Sequence, residues 1–353
     1  MNDLPRNWLV CRLSALGDVV LTTGVLAWLH ARYGWRFTVL TREAFAPVFE
    51  GSAVVDSVVV PEAQDLVLPH AATYFRELAL RCEGQGLLDL HGTARSRLLG
   101  AVWRGPVRRY PKYGLERRLF LASRGALFRR TLLATTVPQR YALALVADPP
   151  PASELVPQIT LGANETAWAK SFLAKLFCDD VLKFSGGCVA LHPYAAHGAK
   201  AWPEERWRAL AHVLDARGIP WFVVGRGDKL FPEHAHDLTN ATSIRESAAL
   251  LAQASALVTG DSGPMHLACA VATPVVGLFG PTVREWGFYP SGPRDTVLES
   301  PCGCRPCSLH GKRPCPGKGE CLANIEPEQV MAALAPLWAV PDGKETPRIC
   351  GAT

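Results

Sequence analysis

The feature that most constrains the fold of this chain is a regular alternation of short β-rich runs with helix-like segments. In the first half, strands are predicted at residues 8–11, 37–40, 54–60, 87–90 and 107–110, with helix-like segments between most of them. The second half repeats the pattern, with strands predicted at residues 189–191, 221–224, 256–258 and 274–279. This alternation is typical of parallel sheets covered by helices. The sequence therefore predicts an α/β protein with two doubly wound domains.

A run of three prolines, Pro149-Pro150-Pro151, separates the two halves. Three consecutive prolines cannot continue a helix or a central strand, so we place the domain boundary there. The predicted domains are residues 1–150 and 151–340, followed by a tail of residues 341–353. A chain of 353 residues with a mean hydropathy of +0.08 is long enough for about two domains and apolar enough for a large core, which excludes a disordered protein.

Neither an export signal nor a membrane span is predicted. Arg12 and Asp18 interrupt the first apolar stretch, and no small-residue cleavage site follows it. The longest stretch without Asp, Glu, Lys or Arg, residues 262–283, is cut into turns by three prolines. We therefore expect a cytoplasmic protein, in which the 11 cysteines do not form a disulfide framework.

Positive charge is concentrated in one segment. Residues 95–130 contain eleven Lys or Arg and one acid, Glu116, whereas the whole chain has a net charge of +5. A local basic surface on an otherwise mildly acidic protein indicates an anionic partner. The alternative is a solvated basic surface without a partner. The candidates for contacts with an anion are Arg95, Arg97, Arg117 and Arg118.

The loop of residues 259–266, Thr-Gly-Asp-Ser-Gly-Pro-Met-His, lies between a predicted strand and a predicted helix. Ligands of doubly wound sheets bind in such loops, at the carboxyl ends of the strands. Unpaired N–H groups at a helix start carry a partial positive charge and bind phosphate. Ser262 would add a hydroxyl. The alternative is an ordinary helix cap formed by Asp261 or Ser262.

A second strand-to-helix loop, residues 13–18, offers a carboxylate. Ser14 and Gly17 are placed to line a cleft, and Asp18 is placed to present its side chain at the start of the following helix. The alternative is that Asp18 only caps that helix.

The sequence contains no Walker A loop, no nucleophile elbow and no Asp-x-Asp metal motif. A bound pyrophosphate would therefore be neutralised by helix termini and by cations, for which Lys200 is the nearest candidate. A solvated loop lysine is the alternative. The segment Gly225-Arg226-Gly227-Asp228 matches only part of a dinucleotide fingerprint, and the alternative there is a turn.

The cysteine-rich stretch near the C-terminus has the spacing C-x2-C-x7-C-x5-C, formed by Cys304, Cys307, Cys315 and Cys321. Four thiolates at such a spacing can hold zinc or iron in a closed structural site. The second half lacks the paired C-x2-C spacing, so reduced structural cysteines are the alternative.

Several segments together resemble glycosyltransferase family 9, the ADP-heptose:lipopolysaccharide heptosyltransferases. Their order and spacing along residues 8–335 make the resemblance specific, although no single motif would be enough. The matching segments are residues 12–22, 89–97, 192–203, 260–268 and 280–282, with a cysteine-rich stretch before the final helix.

The resemblance implies a GT-B fold, in which two Rossmann-like domains face each other across a cleft, and a transfer that requires no metal cofactor. It implies an inverting enzyme that moves heptose from ADP-heptose to the lipid A-core of lipopolysaccharide. The N-terminal domain would face the acceptor and the C-terminal domain would hold the donor. Asp18 matches the position proposed as general base, and Lys200 would stabilise the departing ADP. The expected donor-binding residues are Ser14, Gly17, Asp261, Ser262, Gly263, Met265 and His266.

With such an acceptor, the basic segment is expected to orient the protein at the anionic inner face of the cytoplasmic membrane as a peripheral protein. No nucleic-acid partner is expected. The chain departs from the family pattern in the loop of residues 193–197, which lacks a small residue after the proline. It also departs at Gly24, where many relatives carry proline, a difference that we expect to matter little.

Two other functions remain open. A Rossmann-type nicotinamide-dependent oxidoreductase would need a complete Gly-x-Gly-x-x-Gly and an acidic residue about twenty positions on, which the sequence lacks. A non-catalytic protein that docks on anionic membranes would need neither Asp18 nor the loop of residues 260–266.

Overall fold

The computed structural model describes residues 4–177, 187–312, 315, 317 and 319–338. The predicted tail of residues 341–353 lies outside the described residues. The chain divides into two compact units. Unit 1 comprises residues 1–113 and 135–160, and unit 2 comprises residues 114–134 and 161–353.

Unit 1 contains a five-stranded parallel sheet with the strand order β3-β2-β1-β4-β5. Its strands are β1 (Asn7–Cys11), β2 (Arg36–Leu40), β3 (Val55–Val59), β4 (Gly86–Asp89) and β5 (Val107–Arg109). Its helices are α1 (Leu16–Tyr33), α2 (His70–Arg81), α3 (Ala94–Val102) and α6 (Val137–Ala142). The central strand β1 is apolar and buried from Trp8 onward, because helices cover both faces of a parallel sheet. Helix α1 ends at Gly34, whose left-handed backbone (φ 68°) forms the C-cap.

Unit 2 contains a second five-stranded parallel sheet with the order β10-β9-β8-β6-β7. Its strands are β6 (Val189–His192), β7 (Trp221–Val223), β8 (Ala256–Gly260), β9 (Val275–Phe279) and β10 (Thr296–Glu299). Its helices are α4 (Gly114–Ala122), α5 (Arg129–Leu133), α7 (Ala163–Leu176), α8 (Glu204–Ala216), α9 (Ile244–Leu251), α10 (Gly263–Ala270), α11 (Glu320–Ala323) and α12 (Pro327–Trp338). A core that includes Trp207 and Trp221 packs helices α8 and α12 onto this sheet.

Two parallel, helix-covered sheets confirm the predicted α/β class, and each predicted strand is present within one or two residues of its expected bounds. Strand β10 was not predicted. It has four residues at the edge of its sheet, and its side chains are partly to fully exposed, so it lacks the continuous apolar run of the central strands. No helix among the described residues has both the length and the apolar character to cross a membrane.

The chain leaves unit 1 at residue 160, rather than at the proline run near residue 150. The reason is that the intervening segment packs on α1. Gln158 N donates to Thr23 Oγ1 at 2.8 Å, and Trp28 Nε1 donates to Glu154 Oε2 at 2.9 Å. A Cβ at Gly24 would overlap the Val156 carbonyl oxygen. The expectation that Gly24 matters little is therefore wrong, because only glycine admits this backbone contact.

Residues 114–134 also depart from the predicted division, since they belong to unit 2. The ring of Phe120 meets that of Trp286 edge-on at 5.5 Å, and Arg129 Nε donates to Glu285 Oε1 at 3.1 Å. These contacts hold α4 and α5 against the segment that follows β9.

Candidate functional site

The loop between β8 and α10 presents an uncapped helix start. Ser262 is the N-cap residue of α10, but its side chain accepts no hydrogen bond from the helix. Its hydroxyl instead lies 3.0 Å from Thr259 Oγ1 and 3.3 Å from His192 Nδ1. The interpretation of Ser262 as an ordinary cap is therefore wrong. Pro264 has no N–H and Met265 is fully buried, so the Gly263 N–H, at the partly exposed start of α10, is the group placed to meet an external acceptor such as phosphate.

Lys200 lies beside this helix start and is not a freely solvated lysine. Its Nζ lies 2.6 Å from Asp261 Oδ2, and both side chains are more than four-fifths buried. The Lys200 stem packs against Gly311, where a Cβ would lie 2.5 Å from Lys200 Cγ. Gly311 has φ 74°, a conformation that favours glycine. Asp261 and Gly311 thus fix the ammonium group from two sides.

His192, at the end of β6, contacts the loop between β8 and α10. Burial lowers the pKa of His192 to about 4, so the ring is neutral near pH 7. Its Nδ1 lies 3.0 Å from Thr259 Oγ1. A Cβ at Gly225 would lie 2.7 Å from His192 Cδ2, so the segment after β7 is a turn shaped around this ring, rather than part of a dinucleotide site.

Sequence reasoning did not single out His192, Thr259 or Gly311. For His192 and Thr259 the sequence offered a signal, because each is a polar residue at the end of a buried strand. Neighbouring parallel strands end at the same edge of a sheet. Met265 was predicted to bind the donor, but its side chain is fully buried and offers a ligand no surface in this structure. His266 is also buried.

In unit 1, Asp18 occupies the first turn of α1 and is held by two side chains. Arg12 Nη2 lies 2.6 Å from Asp18 Oδ1, and the Tyr141 hydroxyl donates to the same oxygen at 2.9 Å. Burial raises the pKa of Tyr141 well above its ordinary value, so this hydroxyl keeps its proton. The cap contact, Ala15 N to Asp18 Oδ2, is long at 3.5 Å. Asp18 therefore does more than cap the helix. Ser14 is partly exposed in the same loop and Gly17 is buried.

The loop after β4 lies beside the Asp18 loop, because β4 pairs with β1. Arg12 Nη1 donates to the Leu90 carbonyl. Asp89 Oδ1 accepts from the N–H groups of His91 and Gly92 at 3.0 and 2.8 Å, which fixes the loop. Burial, and next the charge of Arg12, lower the pKa of His91 to about 4.

The four predicted acceptor arginines lie in different units. Arg95 and Arg97 are on α3 of unit 1, whereas Arg117 and Arg118 are on α4 of unit 2. Arg95 Nε donates to the Leu66 carbonyl at 2.7 Å. The basic segment is thus divided between the two units.

The predicted four-thiolate site is not formed. Among the residues that the structure describes, no three His, Cys, Asp or Glu side chains gather as a metal site. The close thiol pair joins Cys304 to Cys302 at 3.2 Å, and Cys302 is outside the predicted quartet. Burial and then neighbouring thiols raise the pKa of Cys304 to about 12 and that of Cys321 to about 11, so these thiols are neutral at pH 7 unless a cation deprotonates them. Gly311, in the same stretch, packs against the side chain of Lys200.

Residues 133–315, more than half of the chain, match the family model of glycosyltransferase family 9 (heptosyltransferase). Lipooligosaccharide heptosyltransferase 2 of Haemophilus ducreyi is 31% identical over 223 residues, which cover 57% of this chain and 62% of the relative. Lipooligosaccharide heptosyltransferase 2 of Haemophilus influenzae is 32% identical over 167 residues, which cover 42% of this chain and 47% of that relative. The matches therefore span less than two thirds of the length of either relative.

Solved structures show the same fold over nearly the whole chain. The E. coli ADP-heptose lps heptosyltransferase II matches with a TM-score of 0.69 at 20% identity, covering 94% of this chain and 98% of the other. The E. coli heptosyltransferase WaaC with ADP-2-deoxy-2-fluoro heptose matches with a TM-score of 0.61 at 21% identity, covering 94% and 99%. The predicted class, with two Rossmann-like domains of the GT-B type, is confirmed.

Proposed function

Because the chain belongs to glycosyltransferase family 9, we propose that it is an inverting heptosyltransferase that moves a heptose from ADP-heptose to the inner core of lipopolysaccharide. The acceptor would be lipid A-Kdo or an already heptosylated core. The observation that carries the proposal is the uncapped start of α10 beside Lys200, which suits the pyrophosphate of a nucleotide-sugar donor. A relative solved with an ADP-heptose analogue supports the choice of donor.

Unit 2 would hold the departing ADP. As the bond between the anomeric carbon and the phosphate oxygen breaks, negative charge grows on that oxygen. The N–H groups at the start of α10 and the Lys200 ammonium would stabilise this charge. Asp261 positions the ammonium and neutralises part of its charge, so the helix terminus supplies a necessary share of the stabilisation.

Unit 1 would supply the general base. The acceptor hydroxyl would attack the anomeric carbon and pass its proton to Asp18. Arg12 and Tyr141 both contact Oδ1 of this carboxylate. Arg12 and Tyr141 are then positioning residues, which hold the carboxylate in one orientation.

The substitution Asp18→Asn tests this assignment, because it keeps the size of the side chain and removes the basic carboxylate. We expect kcat to fall by ~10²–10⁴-fold, with ADP affinity unchanged. Asp56→Asn is the matched control, since Asp56 is an exposed acid of unit 1 paired with Arg36. Turnover within a few-fold of the unmodified protein, measured with ADP-heptose and a lipid A-core acceptor, would sink the assignment.

On the acceptor side, Arg95, Arg97, Arg117 and Arg118 would contact the anionic glycolipid at the inner face of the cytoplasmic membrane. Exposed apolar side chains in the same segment, Leu115, Leu127 and Phe128, support this orientation. The double substitution Arg117→Glu/Arg118→Glu should raise the acceptor KM and leave ADP affinity unchanged. If neither the acceptor KM nor sedimentation with liposomes changes with this substitution or with added salt, the proposed orientation is contradicted.

We propose that transfer requires no metal cofactor, because Lys200 and the start of α10 are placed to meet the charge of the leaving group. Among the described residues, the thiols do not gather as a structural zinc or iron site, and no step proposed here uses a metal. Elemental analysis of protein purified without an affinity tag checks this interpretation. About one equivalent of zinc or iron would contradict it.

A further inference from the structure

A cavity of about 650 Å³ in unit 2 lies outside the site described above. It is bordered by the turn between α4 and α5 and by the segments that follow β9 and β10. Its charged lining consists of Arg124, Arg129, Arg284, Arg305, Glu285 and Glu299. Among the residues that the structure describes, four guanidinium groups against two carboxylates give the cavity a surplus of two positive charges.

Each acid of the cavity already holds one arginine. Arg129 Nε donates to Glu285 Oε1 at 3.1 Å, and Arg305 Nη2 pairs with Glu299. Arg124 and Arg284 line the same cavity, and within the described part of the chain neither side chain has an acid or hydrogen-bond partner. The surplus charge is therefore located on these two arginines.

Arg124 is exposed, but the turn that carries it has a well-defined backbone. Arg124 and Gly125 both have left-handed backbones, with φ of 51° and 92°. A Cβ at Gly125 would lie 3.6 Å from Phe120 Cζ and from Pro306 Cδ, so the turn packs closely on the cavity wall. A left-handed conformation is uncommon for arginine, and such conformations are concentrated at binding sites.

We propose that this cavity binds a phosphomonoester group carried by an amphiphilic molecule. A phosphomonoester has a charge of about −1.5 to −2 at pH 7, which matches two uncompensated arginines, whereas one carboxylate supplies half of it. Planar guanidinium groups pair with phosphate oxygens in a bidentate geometry. Leu133 lines the cavity and is 44% exposed, and Leu127 and Phe128 on the same turn are exposed too. These side chains offer an apolar surface next to the charged pocket.

The proposal goes beyond the heptosyl transfer and does not depend on it. The lining contains none of the residues assigned to the donor or to the general base. A soluble phosphate ester and a phosphorylated membrane lipid present the same group, so the experiment needs one arm for each source.

The test compares two double variants of the full-length protein. Arg124→Gln/Arg284→Gln removes the two unpaired guanidinium groups. Arg217→Gln/Arg294→Gln removes the same charge from exposed arginines of unit 2 outside the cavity and outside the basic segment. Binding is measured by calorimetric titration with inorganic phosphate and hexyl phosphate. Co-sedimentation with phosphatidylcholine vesicles, prepared with and without phosphatidate, forms the lipid arm.

We expect the cavity variant to bind hexyl phosphate or phosphatidate vesicles at least about tenfold more weakly, with little change in the control variant. Binding of hexyl phosphate identifies a soluble ester, and binding only to phosphatidate vesicles identifies a lipid. An equal loss in both variants, or no phosphate-dependent binding by the unmodified protein, overturns the proposal. An ADP titration keeps the two proposals apart, since the cavity variant should bind ADP normally.

Discussion

The loop of residues 259–266 in unit 2, named the donor loop after its proposed role, and the Asp18 site of unit 1 both follow a parallel strand, but they are built in opposite ways. The donor loop turns its cap side chain, Ser262, away toward Thr259, and so leaves the start of α10 open to an anion. The Asp18 site directs Arg12 and Tyr141 onto one carboxylate oxygen. In the proposed assignment, the helix start can bind an anion because the Ser262 side chain does not accept from it. The carboxylate of Asp18 is instead held in one orientation by two side-chain donors.

The most direct test of this comparison is to remove the cation beside the uncapped helix start. Lys200→Met should lower kcat by ~10²–10³-fold, because the leaving group loses a preorganised charge. Lys170→Met, an exposed lysine on α7 of the same unit, is the control. Steady-state kinetics in which both variants fall alike would contradict the role given to Lys200.

Acid should affect the buried support of the donor loop. The pKa of His192 is about 4 in the folded state, below the usual value near 6.5. Between these pH values the unfolded state binds more protons, so stability is full above about pH 6.5 and falls toward pH 4, by roughly 3 kcal/mol for this group. His192→Gln should flatten that decline in urea titrations across this pH range.

His91 provides the parallel case in unit 1, because burial lowers its pKa to about 4 as well. His91→Gln should therefore flatten the acid decline of unit 1 in the same way. If neither variant changes the pH dependence of unfolding, the two histidines do not titrate as described.

A smaller loss is expected where α1, the helix that carries Asp18, meets the segment after the proline run. Gly24→Ala places a Cβ against the Val156 carbonyl oxygen and 2.6 Å from that of Leu155, so the backbones must separate. We expect a loss of ~1–3 kcal/mol in the free energy of unfolding. Gly114→Ala, where a Cβ meets nothing within 4 Å, is the control, and equal stability of the two variants would refute the packing argument.

The most selective change is Tyr141→Phe, which removes one donor from the Asp18 carboxylate. Loss of a single hydrogen bond costs about 1 kcal/mol, so kcat should fall by up to about tenfold. The acid limb of the pH–rate profile should move to higher pH, because the charged carboxylate loses a stabilising donor. A merely structural role for Tyr141 would leave that limb in place.

These contrasts also show what the sequence was able to predict. The position of this loop between a strand and a helix was predicted because the strand, the small residues and the proline at the helix start are consecutive, so local rules apply to them. The open state of the helix was not predictable, since it depends on His192, which is 70 residues from Ser262.

The partners of Asp18 could not be predicted from the sequence for the same reason. Tyr141 contacts it across 123 residues of sequence, and no spacing rule connects them. The cysteine spacing misled in the opposite direction, because a pattern along the chain does not fix the distances between the thiols.

The division of the chain into units has a consequence for its synthesis and for its dissection. Because residues 114–134 belong to unit 2 while residues 135–160 return to unit 1, unit 1 is not a contiguous fragment. During translation it remains incomplete until residue 160 has emerged, by which time part of unit 2 already exists without its sheet. A fragment that stops at the proline run would expose the surface of α1 that the Gln158 and Glu154 contacts cover. Exchange of unit 2 between relatives therefore requires two separate pieces of chain, transferred together.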